Sequence, residues 1–460
     1  MQHERRVASP LGHATITVGE RAIVGRSKRS DLPRSAQGEF APAPDRPDPV
    51  ALVRQDEDQR LADLVPLRHE RMVADAFTFF RGSAAIMAWD LSRAPHTDLY
   101  VQMCGDAHLA NFGVYAAPSR ELVFDINDFD ETLPGPFEFD VKRLTTSLTI
   151  AGRHLNLAED DGDRAVRAAV TSYRSAMRRF ADMTDLEVWY SRHRLTELRQ
   201  VISHDPQVAE IAEATAARAA RNTSARAHSR LVEVSDETQR FRNDPPLLVR
   251  LVDLPQDATG ALGREIEQIM DKYRKSLPDH LKVLIERYEV LDVARKVVGV
   301  GSVGSECYIV LLRGRRQGDP FILQVKQAGP SVFEGPLPRS RYRLHGARVV
   351  AGQRLIQAAS DMFLGTLRAT DGTDYYVRQF RDAKGSVDLE KMTSLRLAAY
   401  ARMCGTSLAR AHARSGDSVA IQGYLGKGKA FEDAMVAFSR LYADQNDKDY
   451  AAFQRSVGGS

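Results

Sequence analysis

The sequence predicts an α+β protein with two lobes, the first mostly helical and the second built on a small β-sheet. Apolar residues recur at helical spacing through much of residues 139–290. At Lys296 the pattern changes to short apolar runs bounded by glycine-rich turns, which is typical of antiparallel strands. Helical spacing returns beyond residue 386 and predicts closing helices that pack on the first lobe.

These changes of pattern divide the chain into four predicted parts. Residues 1–55 are rich in Arg, Pro, Ser and Asp, a composition that buries little apolar surface and predicts a flexible, extended arm. Residues 56–290 form the helical lobe, residues 291–385 the small β-rich lobe, and residues 386–460 the C-terminal helices.

The individual elements follow from the local spacing of apolar residues. In chain order they are strands at Leu99 to Met103 and Glu121 to Ile126; helices that carry Val141 to Ala151 and Val166 to Phe180; strands at Val297 to Gly304, Tyr308 to Leu312 and Phe321 to Val325; a helix from Ala347 to Ala359; strands at Phe363 to Leu367 and Tyr375 to Phe380; and helices over Leu397 to Ala411 and Phe431 to Val457.

Composition limits the class of protein. A hydrophobic content of 43% matches a globular chain, and 64 Lys plus Arg against 61 Asp plus Glu gives a net charge of +3, too weak to indicate nucleic-acid binding. The three cysteines are far apart with no C-x-x-C pair, which argues against a disulfide framework or a zinc ribbon. No apolar run is long enough for a membrane helix or a secretion signal, so we expect a cytoplasmic protein of undetermined oligomeric state.

Two acidic loops carry the first candidate site. Asp106 is followed five residues later by Asn111, and Asp125, Asp128 and Asp130 lie one hairpin away. Phosphoryl transfer needs a carboxylate that accepts the proton of the attacking hydroxyl, together with Asn and Asp oxygens that hold magnesium. Asp106 is the predicted base.

The metal ligands of this site are less sharply defined. We predict Asn111 and Asp128, with Asp125 as the alternative to Asp128 and Asp130 in the same acidic run. His108 either orients Asp106 or packs beside it. The structural alternative for the whole set is that Asp and Asn fill turns, as they commonly do.

A glycine loop and a lysine carry the second candidate site. Gly299, Gly301 and Gly304 form a G-x-G-x-x-G match that includes Ser302, and a strand rather than a helix follows it. A glycine turn between strands predicts backbone NH groups that cover nucleotide phosphates, and Lys326, at the end of the third strand, would reach the α and β phosphates. The alternative is an ordinary hairpin with a solvent-facing lysine.

Three further residues are assigned around these loops. Glu334 is the nearest candidate for the acid that orients Lys326, with Gln353 as an alternative polar partner. Arg81, in an apolar run, is a candidate contact for phosphate or acceptor, or else a salt bridge to the acidic loop. Asp140 at the start of a helix is a cap or a support for the Asp106 loop.

Several stretches resemble a bacterial family catalogued as domain of unknown function 2252. They are Phe79-Phe-Arg-Gly, Cys104-Gly-Asp-Ala-His-Leu-Ala-Asn-Phe-Gly, Phe124-Asp-Ile-Asn-Asp-Phe-Asp-Glu-Thr, Arg348-Val-Val-Ala-Gly-Gln-Arg and Tyr442-Ala-Asp-Gln. The resemblance spans nearly the whole chain beyond the arm, but it implies no activity by itself.

A looser resemblance is to aminoglycoside and choline kinases, whose His-Gly-Asp-x-x-x-x-Asn loop is similar to Gly105, Asp106 and Asn111, with Cys104 in place of the His. It implies a protein-kinase-like two-lobed fold. Because Asp106 precedes Gly299 here, the order of the lobes is reversed, and the resemblance implies a circular permutation with the helical catalytic lobe first.

The expected function is an ATP- and magnesium-dependent phosphotransferase with nucleotide and an unidentified small-molecule acceptor as partners. One alternative is a nucleotide-binding regulator without turnover. Another is a metallophosphoesterase, because Asp106-Ala-His108 has the D-x-H form of a metal ligand pair.

Overall fold

The computed structural model describes most of the chain, and its folded part is a mixture of helices and antiparallel strands. The described ranges are residues 16–192, 206–221, 224–235, 238–254, 266–315, 320–380 and 388–458. Predictions for residues 1–15 and for the other gaps lie outside the described residues.

The helices are distributed along the whole length of the described chain. In order they are α1 Val18–Asp31, α2 Pro49–Glu57, α3 Val65–Met72, α4 Ala76–Gly82, α5 Ala84–Arg93, α6 Phe137–His154, α7 Glu159–Ala181, α8 Asp185–Tyr190, α9 Pro206–Arg221, α10 Ser224–Leu231, α11 Ile266–Ser276, α12 Asp279–Ile285, α13 His345–Ile356, α14 Ser394–Ala413, α15 Ser418–Leu425 and α16 Ala430–Gly458.

Within the described residues the strands form one six-stranded sheet and three two-stranded pairs. They are β1 Tyr100–Met103, β2 Phe112–Ala116, β3 Leu122–Ile126, β4 Leu133–Pro136, β5 Val232–Val234, β6 Gln239–Phe241, β7 Leu248–Arg250, β8 Glu289–Lys296, β9 Cys307–Arg313, β10 Pro320–Gln327, β11 Gly365–Arg368 and β12 Asp374–Gln379. The sheet order is β11-β12-β10-β9-β8-β7, with every neighbouring pair antiparallel. The α+β class is confirmed.

The segment predicted as an extended arm is instead helical over much of its described part. Helix α1 begins with a capping box between Thr17 and Glu20 and packs on α15. The Arg29 guanidinium donates hydrogen bonds to the Tyr424 and Gly423 carbonyl oxygens near the end of α15. The prediction was wrong because these charged residues bind helix-end carbonyls, a use that composition does not reveal.

The helical core forms around α6, α7, α14 and α16. Nearly every residue of α6 is buried, since helices pack on it from several sides. Helices α7 and α14 share the most extensive contact, where the Tyr173 hydroxyl lies 2.8 Å from Nδ1 of the buried His412. Among the described helices, none is long and apolar enough to cross a membrane.

The predicted strand from Val297 to Gly304 is wrong. Strand β8 ends at Lys296, and residues 297–304 form the loop to β9. Gly299 and Gly304 have φ values of +66° and +91°, which a regular strand does not accommodate. Short strands β5 to β7 also interrupt the region predicted as mostly helical, so the six-stranded sheet starts earlier in the chain than expected.

Two small antiparallel pairs position the acidic loops. Strand β1 pairs with β4, and β2 pairs with β3. The loop from β1 to β2 contains Asp106, and the loop from β3 to β4 contains Asp128 and Asp130. Because each pair joins strands that flank these loops, the two acidic segments are held side by side next to the sheet.

Candidate functional site

A cavity of about 230 Å³ lies where the acidic loops meet the glycine loop. The predicted site residues that line it are Arg81, Asp106, His108, Asn111, Asp128, Asp130, Gly299, Gly301 and Ser302. The structure thus brings together residues that are almost two hundred positions apart in sequence. Of the remaining predictions, Asp125, Gly304, Lys326 and Glu334 are not part of the cavity wall.

The Asp140 side chain holds the backbone of the Asp106 loop in place. The Asp140 carboxylate accepts hydrogen bonds from the backbone NH groups of Cys104, at 2.8 Å, and Gly105, at 3.1 Å. Nε2 of His412 lies 3.2 Å from the same carboxylate. Asp140, at the start of α6, is therefore a support for the loop and not part of the cavity.

Asp106 has a buried cationic partner that the sequence did not predict. Nε of Arg143 donates to Oδ1 of Asp106 at 2.8 Å, while its Nη2 donates to the Phe80 carbonyl oxygen at 2.7 Å. Arg143 follows Lys142 inside the apolar face of α6, and such buried charges need a partner. Charged residues among the apolar residues of a predicted helix were the signal from which a buried ion pair could have been predicted.

His108 lies beside Asp106 and is neutral at pH 7. Its Nε2 is 3.5 Å from Oδ2 of Asp106, and the residue is 3% exposed. Burial lowers the pKa of His108 to about 4. The nearby Asp106 favours the protonated form, whereas Arg81 and Arg143 disfavour it.

The oxygen atoms of Asn111 and Asp128 suit a hard divalent cation, whereas both carboxylate oxygens of Asp130, the further predicted ligand, bind other side chains. Nδ2 of Asn111 donates to the Asp106 carbonyl oxygen at 2.7 Å, which leaves the amide oxygen as the coordinating atom. Magnesium takes oxygen ligands and commonly uses only one or two protein carboxylates, with phosphate and water completing its shell. In the described ranges no group of three or more His, Cys, Asp or Glu side chains is arranged to hold a metal.

Lys326 pairs with Asp130 rather than with Glu334. The Lys326 ammonium binds one oxygen of Asp130, and the Tyr376 hydroxyl donates to the other at 2.8 Å. Burial alone would lower the pKa of Lys326, but the carboxylates of Asp128 and Asp130 outweigh it and raise that pKa. The lysine is therefore charged, 2% exposed and held just behind the cavity wall.

The two residues predicted to orient Lys326 have other partners. Oε1 of Glu334 lies 3.4 Å from Nε of Arg348, and Nε2 of Gln353 donates to Oε1 of Gln357 at 2.9 Å. Proximity in sequence was misleading because the acidic loop between β3 and β4 binds Lys326, whereas the residues that follow Lys326 have other partners.

Asp125 is a structural residue, so its prediction as a metal ligand is corrected. It is 1% exposed, its Oδ1 binds the fully buried Arg410, and its Oδ2 accepts the Ala358 NH at 3.1 Å. A carboxylate within a buried strand needs such a cation, whereas Asp128 lies beyond the strand end and reaches the cavity.

Residues of the N-terminal part hold the glycine loop in place. The Leu61 NH donates to the Gly304 carbonyl oxygen at 2.7 Å, and Nη1 of Arg60 donates to the Val303 carbonyl oxygen at 2.6 Å. Nη1 of Arg71 binds the Gly299 carbonyl oxygen. Because residues outside the loop bind its backbone carbonyl groups, the loop is held in place beside the cavity.

Glu131 is a cavity residue that sequence analysis missed. Its Oε2 accepts the Val332 NH at 2.8 Å. Burial raises the pKa of Glu131 to about 7, although the nearby Arg348 favours the charged form. The only signal in the sequence was its place in the acidic run after Asp128.

Comparison with known protein families identifies the family of the chain. A family model described as "Uncharacterized protein conserved in bacteria (DUF2252)" matches residues 60–456. No curated protein and no solved structure matches the chain.

Proposed function

The chain belongs to the bacterial family DUF2252, and from that premise we propose that it is an ATP- and magnesium-dependent phosphotransferase acting on a small molecule. One observation carries the proposal: Asp106, Asn111 and Asp128 line the same cavity as Gly299, Gly301 and Ser302. A base, two oxygen ligands and a glycine loop are the parts that phosphoryl transfer requires.

Each residue then has a defined task. Asp106, held by Arg143, accepts the proton of the acceptor hydroxyl. Asn111 and Asp128 would hold magnesium, which when bound neutralises phosphate charge. The NH groups of the glycine loop cover the phosphates, and Lys326, oriented by Asp130, supplies positive charge behind the wall.

We extend the proposal to the architecture, a kinase-like arrangement of two lobes with circularly permuted order. Three features support it. A glycine loop joins antiparallel strands β8 and β9, the lysine lies on the next strand β10, and helix α13 follows before β11. The Asp106 loop, which follows the lysine in a conventional kinase, precedes this unit here.

Nucleotide binding is the first test. ATP at about a hundred times its dissociation constant should stabilise the wild type by roughly 2.7 kcal/mol, measured by thermal unfolding with and without magnesium. We expect Asp128→Asn to lose the magnesium-dependent part and Lys326→Ala to lose most of the shift. Asp433→Asn, an exposed acid on α16, is the matched control and should respond as wild type does.

Turnover separates the proposed enzyme from the regulator. The wild type should form ADP when small-molecule mixtures supply an acceptor, and Asp106→Asn should bind ATP normally but form at least a hundredfold less ADP. ATP binding with no ADP under any mixture would favour the regulator. The absence of any magnesium-dependent ATP binding would contradict both, and release of orthophosphate from phosphate esters would then favour the phosphoesterase.

A further inference from the structure

The N-terminus of helix α5 opens into the cavity without a cap. Ser83 precedes the helix, but its hydroxyl donates to the Phe79 carbonyl oxygen at 2.7 Å and does not cap the helix. Among the described residues, the backbone NH groups of Ala84 and Ala85 have no acceptor, and both residues line the cavity. Uncapped NH groups at a helix N-terminus attract anions.

A guanidinium without an acceptor lies at the same corner. Arg81 lines the cavity, and within the described part of the chain its side chain makes no hydrogen bond or ion pair, although its Nε is fully buried. Burial lowers the pKa of Arg81, and the charges of Asp106 and Asp75 act in the opposite direction. Asp106 already binds Arg143, and Asp75 accepts the Thr78 NH at 2.7 Å.

A buried imidazole completes the corner. His108 lines the cavity, is 3% exposed, and its Nδ1 has no hydrogen-bond partner in the described structure. It is close enough to Arg81 for their charges to interact. A buried polar atom without a partner is costly, and a ligand that supplies the partner removes that cost.

We propose that Arg81, the first NH groups of α5 and His108 form an oxyanion subsite that binds a phosphate group. A phosphate presents several acceptor oxygens and negative charge, which match a guanidinium and two NH groups, and the neutral His108 adds a donor when its proton is on Nδ1. The neighbouring acids do not serve as the anionic partner of this subsite because they already bind other side chains. Asp130 pairs with Lys326, and Asp56 pairs with Arg68.

This subsite deepens the proposed function and rests on it for its biological role, because the phosphate would belong either to the nucleotide or to the acceptor. Binding of the anion itself requires neither nucleotide nor magnesium. The two proposals therefore fail separately: Asp128→Asn tests nucleotide binding, and changes at Arg81 and Ala85 test the subsite.

The experiment is calorimetric titration of the full chain with inorganic phosphate, without magnesium and at constant ionic strength. We expect saturable binding to wild type and at least tenfold weaker binding to Arg81→Gln. Ala85→Asp, which places a carboxylate at the helix N-terminus, should also abolish phosphate binding while raising the unfolding temperature. Arg93→Gln, an exposed arginine at the other end of α5, is the matched control and should bind as wild type.

If Arg81→Gln and Ala85→Asp both bound phosphate with an affinity within twofold of wild type, the subsite would be overturned. Failure of the wild type to bind phosphate would overturn it as well. A competition arm assigns the source of the phosphate. Phosphate that weakens binding of ATP with magnesium occupies the place of a nucleotide phosphate, whereas phosphate that binds together with ATP marks the acceptor side.

Discussion

Gly105 shows how one residue fixes the position of the base. Its φ is +84°, and a Cβ atom there would lie 2.1 Å from the Glu131 carbonyl oxygen. The Asp106 loop can therefore contact the second acidic loop only because this residue has no side chain. The two acidic segments form one wall for that reason.

Gly105→Ala should lower the free energy of unfolding by more than about 2 kcal/mol, since a positive φ and a backbone clash act together. Urea unfolding measures the loss. Gly162→Ala is the matched control: its Cβ meets nothing within 4 Å, and the change should stabilise helix α7 by about 0.5–1 kcal/mol. Equal stability of the two variants would contradict the close approach described for Gly105.

Glu131 should make stability depend on pH in an unusual direction. Its pKa rises from 4.5 to about 7 on folding because of burial, so its contribution is complete below about pH 4.5 and is lost as pH rises through 7. The full contribution is on the order of 3 kcal/mol. His108, whose pKa falls to about 4, acts oppositely and contributes more as pH rises from 4 to 6.5.

The variant Glu131→Gln isolates this effect. The difference in unfolding free energy between wild type and variant should be largest near pH 4.5 and shrink towards pH 8. Chemical denaturation at a series of pH values measures it. A difference that stays constant over this range would show that Glu131 is charged in the folded protein.

At the scale of single residues, sequence reasoning identified types better than partners. Asp106, Asn111 and Asp128 were predicted as base and metal ligands because their spacing matches a chemical need; all three line the cavity, and their roles stay predictions. The partner of Lys326 was missed because Asp130 is distant in sequence. Asp125 was misassigned because a buried carboxylate and a cavity carboxylate look alike in a sequence.

Helix α1 is the element that sequence analysis misread, and its glycine explains how it packs. A Cβ atom at Gly25 would lie 1.9 Å from the Ala420 carbonyl oxygen of α15. The two helix backbones therefore touch directly. Such a contact leaves no apolar stripe in the sequence, which is why the segment was predicted to be an arm.

Gly25→Ala should separate α1 from α15 and lower the free energy of unfolding by about 1–3 kcal/mol, the usual effect of overpacking. Hydrogen exchange of the α1 amides should accelerate. Gly19→Ala, in the same helix with its closest neighbour at 3.9 Å, should instead stabilise the helix slightly. If both variants unfolded at the same urea concentration, the direct contact would not matter for stability.

For the remaining elements, periodicity located the long helices and six of the twelve described strands, because apolar spacing there reflects burial on one face. It failed at residues 297–304, where apolar valines alternate with glycines that form a loop. The contacts that hold this loop, from Leu61 and Arg60, have no sequence pattern at all.

On the scale of the whole molecule, polar contacts join segments that are distant in sequence. Arg348 donates to the Asp130 and Thr132 carbonyl oxygens at 2.7 Å, and Nη2 of Arg295 binds Asp63 at 2.7 Å. The change of period at Lys296 predicted a β-rich segment after it, and strands β9 to β12 lie there. That the acidic loops and the glycine loop lie at one cavity could be predicted only because both were assigned to the same reaction, phosphoryl transfer.

The pairing of Lys326 with Asp130 has a consequence for synthesis of the protein. The ribosome makes Asp130 long before Lys326, and at about 5–20 residues per second the delay between them is roughly 10–40 s. During this interval the Asp130 carboxylate lacks the lysine that later binds it. Until the chain has grown to Lys326, that carboxylate is therefore open to ions from the solvent.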